Sequence, residues 1–253
     1  MLTRVYVTGR VEIESGEKLV REQQFPGRQG RIIFAYLVCH WQRAVTREEL
    51  ADALWPESLP GSWEAALHAL VSKLRGLLKG VVGPEAINLT SAFGSYYLHV
   101  GTDVWIDREA AAEAIDEAEG LLRAGDIKGA WPLSNIAAIT ARRPFLAGED
   151  GEWISRERVN LHNILVRALD CLTEIWIANG ERSLALAAAR ESVALEPFRE
   201  TGYQRLIRVH AALGNRAEAL RVYESCRELL VNELGTDTSE ETQALYQELL
   251  GPA

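Results

Sequence analysis

Between Pro26 and Val100 the chain writes three amphipathic helical patterns followed by a hairpin, and few folds accept that order. The first pattern, Arg28 to His40, opens polar and basic and turns apolar at Ile32, Ile33, Tyr36 and Leu37. The second begins at Thr46, which forms a capping box with Glu49 three residues later. It runs to Leu54, with Leu50, Ala53 and Leu54 on its core face, and ends before Pro56, because the residue preceding a proline disfavours helical backbone. Ser62 is a good N-cap for the third helix, which is expected to run to about Lys79 and stop at Gly80. Its apolar side is Leu67, Leu70, Val71, Leu74 and Leu78 at three- and four-residue spacing. The other side carries Glu64, His68, Ser72, Arg75 and Lys79, with Lys73 at the edge. Ile87, Leu89, Tyr96, Leu98 and Val100 then frame a turn around Ala92-Phe93-Gly94-Ser95. Ahead of all this, Val5, Val7, Val11 and Ile13 alternate with Arg4, Arg10, Glu12 and Glu14, a half-buried strand pair with Gly9 or Gly16 at the turns.

Three helices and a hairpin in that order are the signature of a winged helix, a domain that usually places its third helix in the DNA major groove. Arginine can read guanine in a bidentate way, and His, Ser and Lys side chains can contact bases or phosphates. The candidate DNA contacts are therefore His68, Ser72, Lys73, Arg75 and Lys79, joined by Arg28 and Arg31 at the basic start of the first helix. A solvated helix face would show the same residues, and that alternative stays open at the level of sequence.

After Thr102 the chain reads as all-helical, starting with an amphipathic segment from Ile106 to Ala124. Part of it repeats. Gly180 is followed by Ala185 and then Pro197, and Gly214 is followed by Ala219. The two glycines are 34 residues apart, the tetratricopeptide period. Glycine ends one helix, small alanine lets the next pack close, and proline stops the second. Gly125 and Ala130 repeat the start of the pattern, but 55 residues separate Gly125 from Gly180, so this unit carries an insertion of roughly Ala138 to Arg158. The expected fold is mainly α: an N-terminal α/β winged helix-turn-helix over residues 1–101, then an all-α tetratricopeptide-like repeat domain over residues 102–253.

Charge divides the same way. Of the 27 Lys/Arg and 36 Asp/Glu residues, 11 and 10 lie in residues 1–101 (+1), and 16 and 26 lie in residues 102–253 (−10), which sum to the net −9. An acidic body does not bind nucleic acid as a whole, so any DNA contact comes from a local face of the first domain. The apolar runs Ile32–Cys39 and Leu184–Ala189 are too short to span a bilayer. No signal-peptide core opens the chain, and Cys39, Cys171 and Cys226 are scattered with no CxxC, which points to a reducing cytoplasm. The histidines at 40, 68, 99, 162 and 210 show no metal-ligand spacing, and the phosphate-loop, dinucleotide-loop and nucleophile-elbow motifs are missing. No cofactor is expected, and no enzymatic activity. Trp153 with Arg156 and Arg158 reads either as a regulatory patch or as a core tryptophan among solvated charges. Arg142-Arg143-Pro144 reads either as an anion site or as a loop charge pair.

The run Val45-Thr46-Arg47-Glu48-Glu49-Leu50-Ala51-Asp52-Ala53-Leu54-Trp55-Pro56 resembles the OmpR-type winged helix of the Streptomyces antibiotic regulatory proteins. So do Ala65-Ala66-Leu67, Val71-Ser72-Lys73-Leu74-Arg75 and the wing strand Gly94-Ser95-Tyr96-Tyr97-Leu98. Further on, Leu195-Glu196-Pro197-Phe198-Arg199-Glu200, Leu213-Gly214-Asn215-Arg216-Ala217-Glu218-Ala219-Leu220, Tyr223, Cys226-Arg227, Leu230 and Glu233-Leu234-Gly235 resemble the bacterial transcriptional activation domain that follows it in that family. The resemblance implies a transcription activator that binds direct repeats near promoters. It also implies a helical domain that self-associates, as in a homodimer, or contacts partners such as RNA polymerase, with no membrane involved. The alternative is an interaction module whose winged helix no longer binds DNA. One departure favours it: no Lys or Arg lies between Gly80 and Asp107, where such wings commonly carry a basic residue. The bare tip either lowers DNA affinity or leaves Phe93 to pack against a neighbouring domain. Larger regulators of this type append ATPase or sensor domains where this sequence ends, so it reads as complete or as a fragment of such a protein.

Overall fold

The computed structural model describes residues 2–251, which form two compact units. The first takes residues up to Ala110 together with Thr140–Leu161; the second takes Ala111–Ile139 and the chain from His162 onward.

The first unit begins with strands β1 (Thr3–Tyr6), β2 (Glu12–Ser15) and β3 (Lys18–Val20). Helix α1 (Gly27–Cys39), strand β4 (Val45–Thr46), helix α2 (Arg47–Leu54) and helix α3 (Trp63–Val81) follow, then β5 (Ile87–Ala92), β6 (Ser95–Val100) and β7 (Val104–Ile106). Alternation puts Thr3 and Val5 on the buried side of β1, with Val7 buried just beyond its end, and Gly9 and Gly16 take the left-handed backbone that the two turns need. The first sheet has the order β3-β2-β1-β7, with β7 parallel to β1. The reading of the chain as all-helical after Thr102 is corrected here. Val104-Trp105-Ile106 is too short to show a period, and its partner lies a hundred residues away across a long parallel crossover, which local sequence does not report.

Helix α1 is the hub of this unit. Every residue from Ile32 to Val38 is buried, and α1 packs on both α2 and α3. The Thr46 capping box forms as expected, with Glu49 N–H donating to Thr46 Oγ1 at 3.1 Å and Thr46 N–H donating to Glu49 Oε2 at 2.8 Å. Two helix-end expectations fail. Ser62 sits at the N-cap of α3 but its side chain makes no capping bond, because its backbone is not extended (ψ 31°). Gly80 does not stop α3: it keeps helical backbone, Val82 N–H still bonds Leu78 O, and Lys18 Nζ donates to Gly80 O at 2.9 Å.

Thr140–Leu161 completes the first unit. Thr8 bridges Phe145, and Gly9 N–H donates to Pro144 O. Arg158 donates to the carbonyls of Phe145, Leu146 and Glu149. Trp153 is buried edge-on against Tyr36 and Phe145 with its indole N–H unpartnered, so it is a core residue. The segment that the repeat spacing marks as an insertion is thus the one that folds away from the repeats. The chain passes between units several times, where the sequence suggests a single crossing after residue 101.

The second unit draws on α4 (Asp107–Arg123), α5 (Ile127–Ala141), α6 (Glu152–Ala178), α7 (Arg182–Leu195), α8 (Glu200–Ala212), α9 (Arg216–Leu234) and α10 (Glu240–Leu250). Gly125, Gly180 and Gly214 all take left-handed backbone (φ +81°, +77°, +73°) between consecutive helices, as the spacing predicts. Ala185 packs fully buried with Leu206 and Val209, and Ala219 with Ile207 and Tyr223. The Leu195–Glu200 motif is a structural junction. Glu196 meets His162, Arg199 makes a two-pronged pair with the nearly buried Asp170, and Glu200 accepts from Ser239 and Thr242 at the start of α10. All three cysteines are free thiols, and burial pushes Cys171 up to about 12 and Cys226 up to about 11. Among the described residues no helix is long and apolar enough to cross a membrane, and no cluster of His, Cys, Asp or Glu is placed to hold a metal ion.

Candidate nucleic-acid interface

Helix α3 buries Leu67, Val71, Leu74 and Leu78 and leaves Leu70 half-buried. The 3.6-residue period then forces His68, Ser72, Lys73 and Lys79 outward, and all four are exposed. Among the described residues, neither Lys73 nor Lys79 has an ion-pair partner. Ala65 and Ala69 lie exposed ahead of them and Gly76 between them, and a side chain added at Gly76 would meet open space. The helix thus presents small residues along its exposed side and two ammonium groups toward its C-terminal half.

Arg75 differs from its neighbours. Its Nε donates to Leu89 O at 2.7 Å and its guanidinium reaches Ser91 Oγ at 3.3 Å, so it ties the middle of α3 to β5. Arg47 does the same from the start of α2. Its N–H donates to Gly94 O at 3.2 Å, and its guanidinium pairs with Glu64 at 3.5 Å. Strand β4 adds Val45 and Thr46 beside Tyr96 and Ser95. The hairpin is therefore braced against α2 and α3 together. Tyr96, buried beneath it, has its phenol pushed up by burial, with the Arg75 and Arg47 charges opposing. Glu49 is held below the usual carboxylate range chiefly by its hydrogen bond from Arg43, at 2.8 Å.

Arg28 and Arg31 stand apart from this face. Both pair with Glu149, a nearly buried carboxylate of the returning segment, at 2.5 Å for Arg28; Arg31 also pairs with Glu22 at 2.9 Å. Arg31 is mostly buried, while the Arg28 side chain stays 63% exposed. Sequence reasoning missed Arg47 and Glu149. The first lies inside a helix-start pattern that gives no hint of a hairpin contact, and the second is one carboxylate in an acidic run. The Phe93 ring is fully exposed at the hairpin tip.

The comparisons agree with one another. The family model described as bacterial transcriptional activator domain matches residues 106–250. The regulatory protein AfsR of Streptomyces coelicolor is 31% identical over 222 residues, which is 88% of this chain and 22% of AfsR. The transcriptional regulatory protein EmbR of Mycobacterium tuberculosis is 27% identical over 221 residues, 87% of this chain and 57% of EmbR. A solved structure of M. tuberculosis EmbR in complex with a low affinity phosphopeptide superposes with a TM-score of 0.85 at 25% identity, covering 98% of this chain and 65% of that one. The chain thus spans about a fifth of AfsR and just over half of EmbR. These relatives bear the names of regulators rather than of enzymes. The chain belongs to the bacterial transcriptional activator domain family, and with it to the Streptomyces antibiotic regulatory protein family of transcription regulators.

Proposed function

We propose that this chain is a cytoplasmic transcription activator whose first unit is a winged helix and reads promoter repeats with α3. The observation that carries the reading is the exposed face of α3, with His68, Ser72, Lys73 and Lys79 outward and a braced hairpin directly behind it. A helix so presented fits a major groove, and its unpaired lysines suit phosphates or base edges. In this reading Arg75 holds the wing at a fixed angle to α3 and offers its remaining donors to DNA. Arg28 and Arg31 set the position of α1 through Glu149 and Glu22. The second unit, a tetratricopeptide-like array, supplies contacts to RNA polymerase or to a second copy; the exposed Trp131, Ile136 and Ile139 of α5 suit such a surface. In this reading the functional division follows the two domains implied by the sequence, 1–101 and 102–253, except that residues 102–110 and Thr140–Leu161 of the second fold with the first.

The test is selection of bound duplexes from a random library, followed by a salt titration on the enriched sequence. Lys79→Ala is expected to weaken all duplexes alike and to shallow the slope of log K against log[salt] by about one unit. Arg75→Ala is expected to cost about 1–3 kcal/mol of specific binding. If no sequence is enriched and neither substitution changes retention, the reading fails. The second reading, an interaction module without DNA binding, then takes its place; the hairpin without Lys or Arg favours it.

A further inference from the structure

The Trp153 ring lies in the core, 7% exposed and edge-on to Tyr36 and Phe145, yet its indole N–H is enclosed without a partner. A buried donor left unpaired costs stability, so its persistence calls for an explanation. The Cδ1–Nε1 edge of the indole faces Gly151, where a side chain would begin 3.8 Å from Cδ1 and 3.9 Å from Nε1. Gly151 has a φ of +154°, a backbone that other residues rarely adopt, so this approach to the indole stays bare. Gly151 and Trp153 both line a cavity of about 510 Å³ between α1, α2 and the start of α6. Gly151 also lines a neighbouring cavity of about 610 Å³, and Trp153 another of about 420 Å³. Every residue lining the three belongs to the first unit. Cavities of this size take a small organic molecule.

We propose that the 510 Å³ cavity binds a neutral, planar aromatic molecule whose carbonyl oxygen accepts from Trp153 Nε1–H beside Gly151. This does not depend on α3 reading DNA. Three features set the chemical class. First, the cavity wall carries flat groups that suit an aromatic face: His40, stacked on Tyr36 at 4.3 Å and 21°, and the Arg156 guanidinium. His40 is fixed for the purpose, because its Nδ1 lies 2.8 Å from Tyr36 O, and a carbonyl there can only accept. Arg156 is available, with its side chain 71% exposed and Glu152 no nearer than 4.0 Å. Second, an indole N–H only donates, so the ligand has to bring an acceptor. Third, charge favours a neutral ligand. Glu49 is already held by Arg43 at 2.8 Å and by Thr46 N–H at 2.8 Å, but Asp52 and Glu152 stand exposed at the same cavity. One loosely held guanidinium thus faces two carboxylates, and an anionic ligand would meet net repulsion. An occupant touches α1, α2 and the returning segment at once, and so fixes how α2 sits on α1.

The experiment uses the full chain and a set of probes of one shape. 2-Acetonaphthone is neutral and carries a carbonyl, 2-ethylnaphthalene lacks the oxygen, and 2-naphthoate is charged. The chain has seven tryptophans, and Trp153→Phe identifies the indole N–H resonance of Trp153 by its loss. 2-Acetonaphthone is expected to shift that resonance saturably. By equilibrium dialysis it should bind about tenfold more tightly than either of the other probes. In Trp153→Phe its affinity should fall to that of 2-ethylnaphthalene, because the donor that tells them apart is gone. Arg156→Gln, at an exposed position, should weaken both neutral probes alike by about threefold. A Trp153 resonance that 2-acetonaphthone leaves unmoved would overturn the proposal. Equal affinity of the parent for the two neutral probes, or no effect of Arg156→Gln, would do the same. Tighter binding of 2-naphthoate would also overturn it, assigning the cavity to an anion at the start of α6. If Trp153→Phe fails to fold, the ranking of the probes by the parent and the Arg156→Gln titration decide the matter.

Discussion

Asp107 is wholly buried, and its carboxylate gathers donors from two ends of the first unit. Oδ1 accepts from Val7 N–H at 3.0 Å and Arg108 N–H at 2.8 Å; Oδ2 accepts from Thr8 N–H at 3.0 Å and the Thr8 hydroxyl at 2.6 Å. Burial raises its pKa, and these four bonds oppose the rise. The carboxylate does for the end of β1 what a further strand would otherwise do. Asp107→Ala leaves the Val7 and Thr8 donors buried and unpaired, and is expected to cost about 2–4 kcal/mol, read as a lower urea midpoint at unchanged slope. Nothing in Ile106-Asp107-Arg108 announces this role, because the partners stand about a hundred residues upstream. The outward residues of α3 were legible for the opposite reason: His68, Ser72, Lys73 and Lys79 follow from a single helical period, and their exposure needs no distant partner.

At the scale of elements, the repeat glycines and alanines act as their spacing suggests. Each glycine accepts a backbone that a side chain would strain, and each alanine lets two helices approach. Ala219 has no exposed surface and sits between Ile207 and Tyr223. Ala219→Leu inserts three carbons into that contact and is expected to cost about 1–3 kcal/mol; an unchanged thermal midpoint would count against the register. The hairpin shows where local reading ends. Its strands and turn could be placed from Ile87, Leu89, Tyr96 and Leu98, yet the bonds of Arg75 and Arg47 that fix its angle join residues from three separate patterns. For the same reason the pairing of Arg28 and Arg31 with Glu149 is not written in the local sequence of α1.

Across the whole molecule, the first unit depends on the returning segment. Glu149 is nearly buried and compensates two guanidinium groups of α1, one of them mostly buried. Glu149→Ala is expected to destabilise this unit by about 3 kcal/mol, because it leaves buried positive charge only partly balanced by Glu22. The check is hydrogen exchange, in which α1 should lose protection while α8 and α9 keep theirs; uniform loss through both would show that the units unfold together. The sequence by itself determined what local period and backbone preference control: the three helices and hairpin, the outward face of α3, and the helix breaks at Gly125, Gly180 and Gly214. Tertiary structure alone decided what depends on meeting a distant partner. That covers the parallel pairing of β7 with β1, the return of Thr140–Leu161 to the first unit, and the capture of Arg28 and Arg31 by Glu149. A period is written into neighbouring residues. A buried pairing is written only into the fold that brings its halves together, and residue order carries no record of that distance.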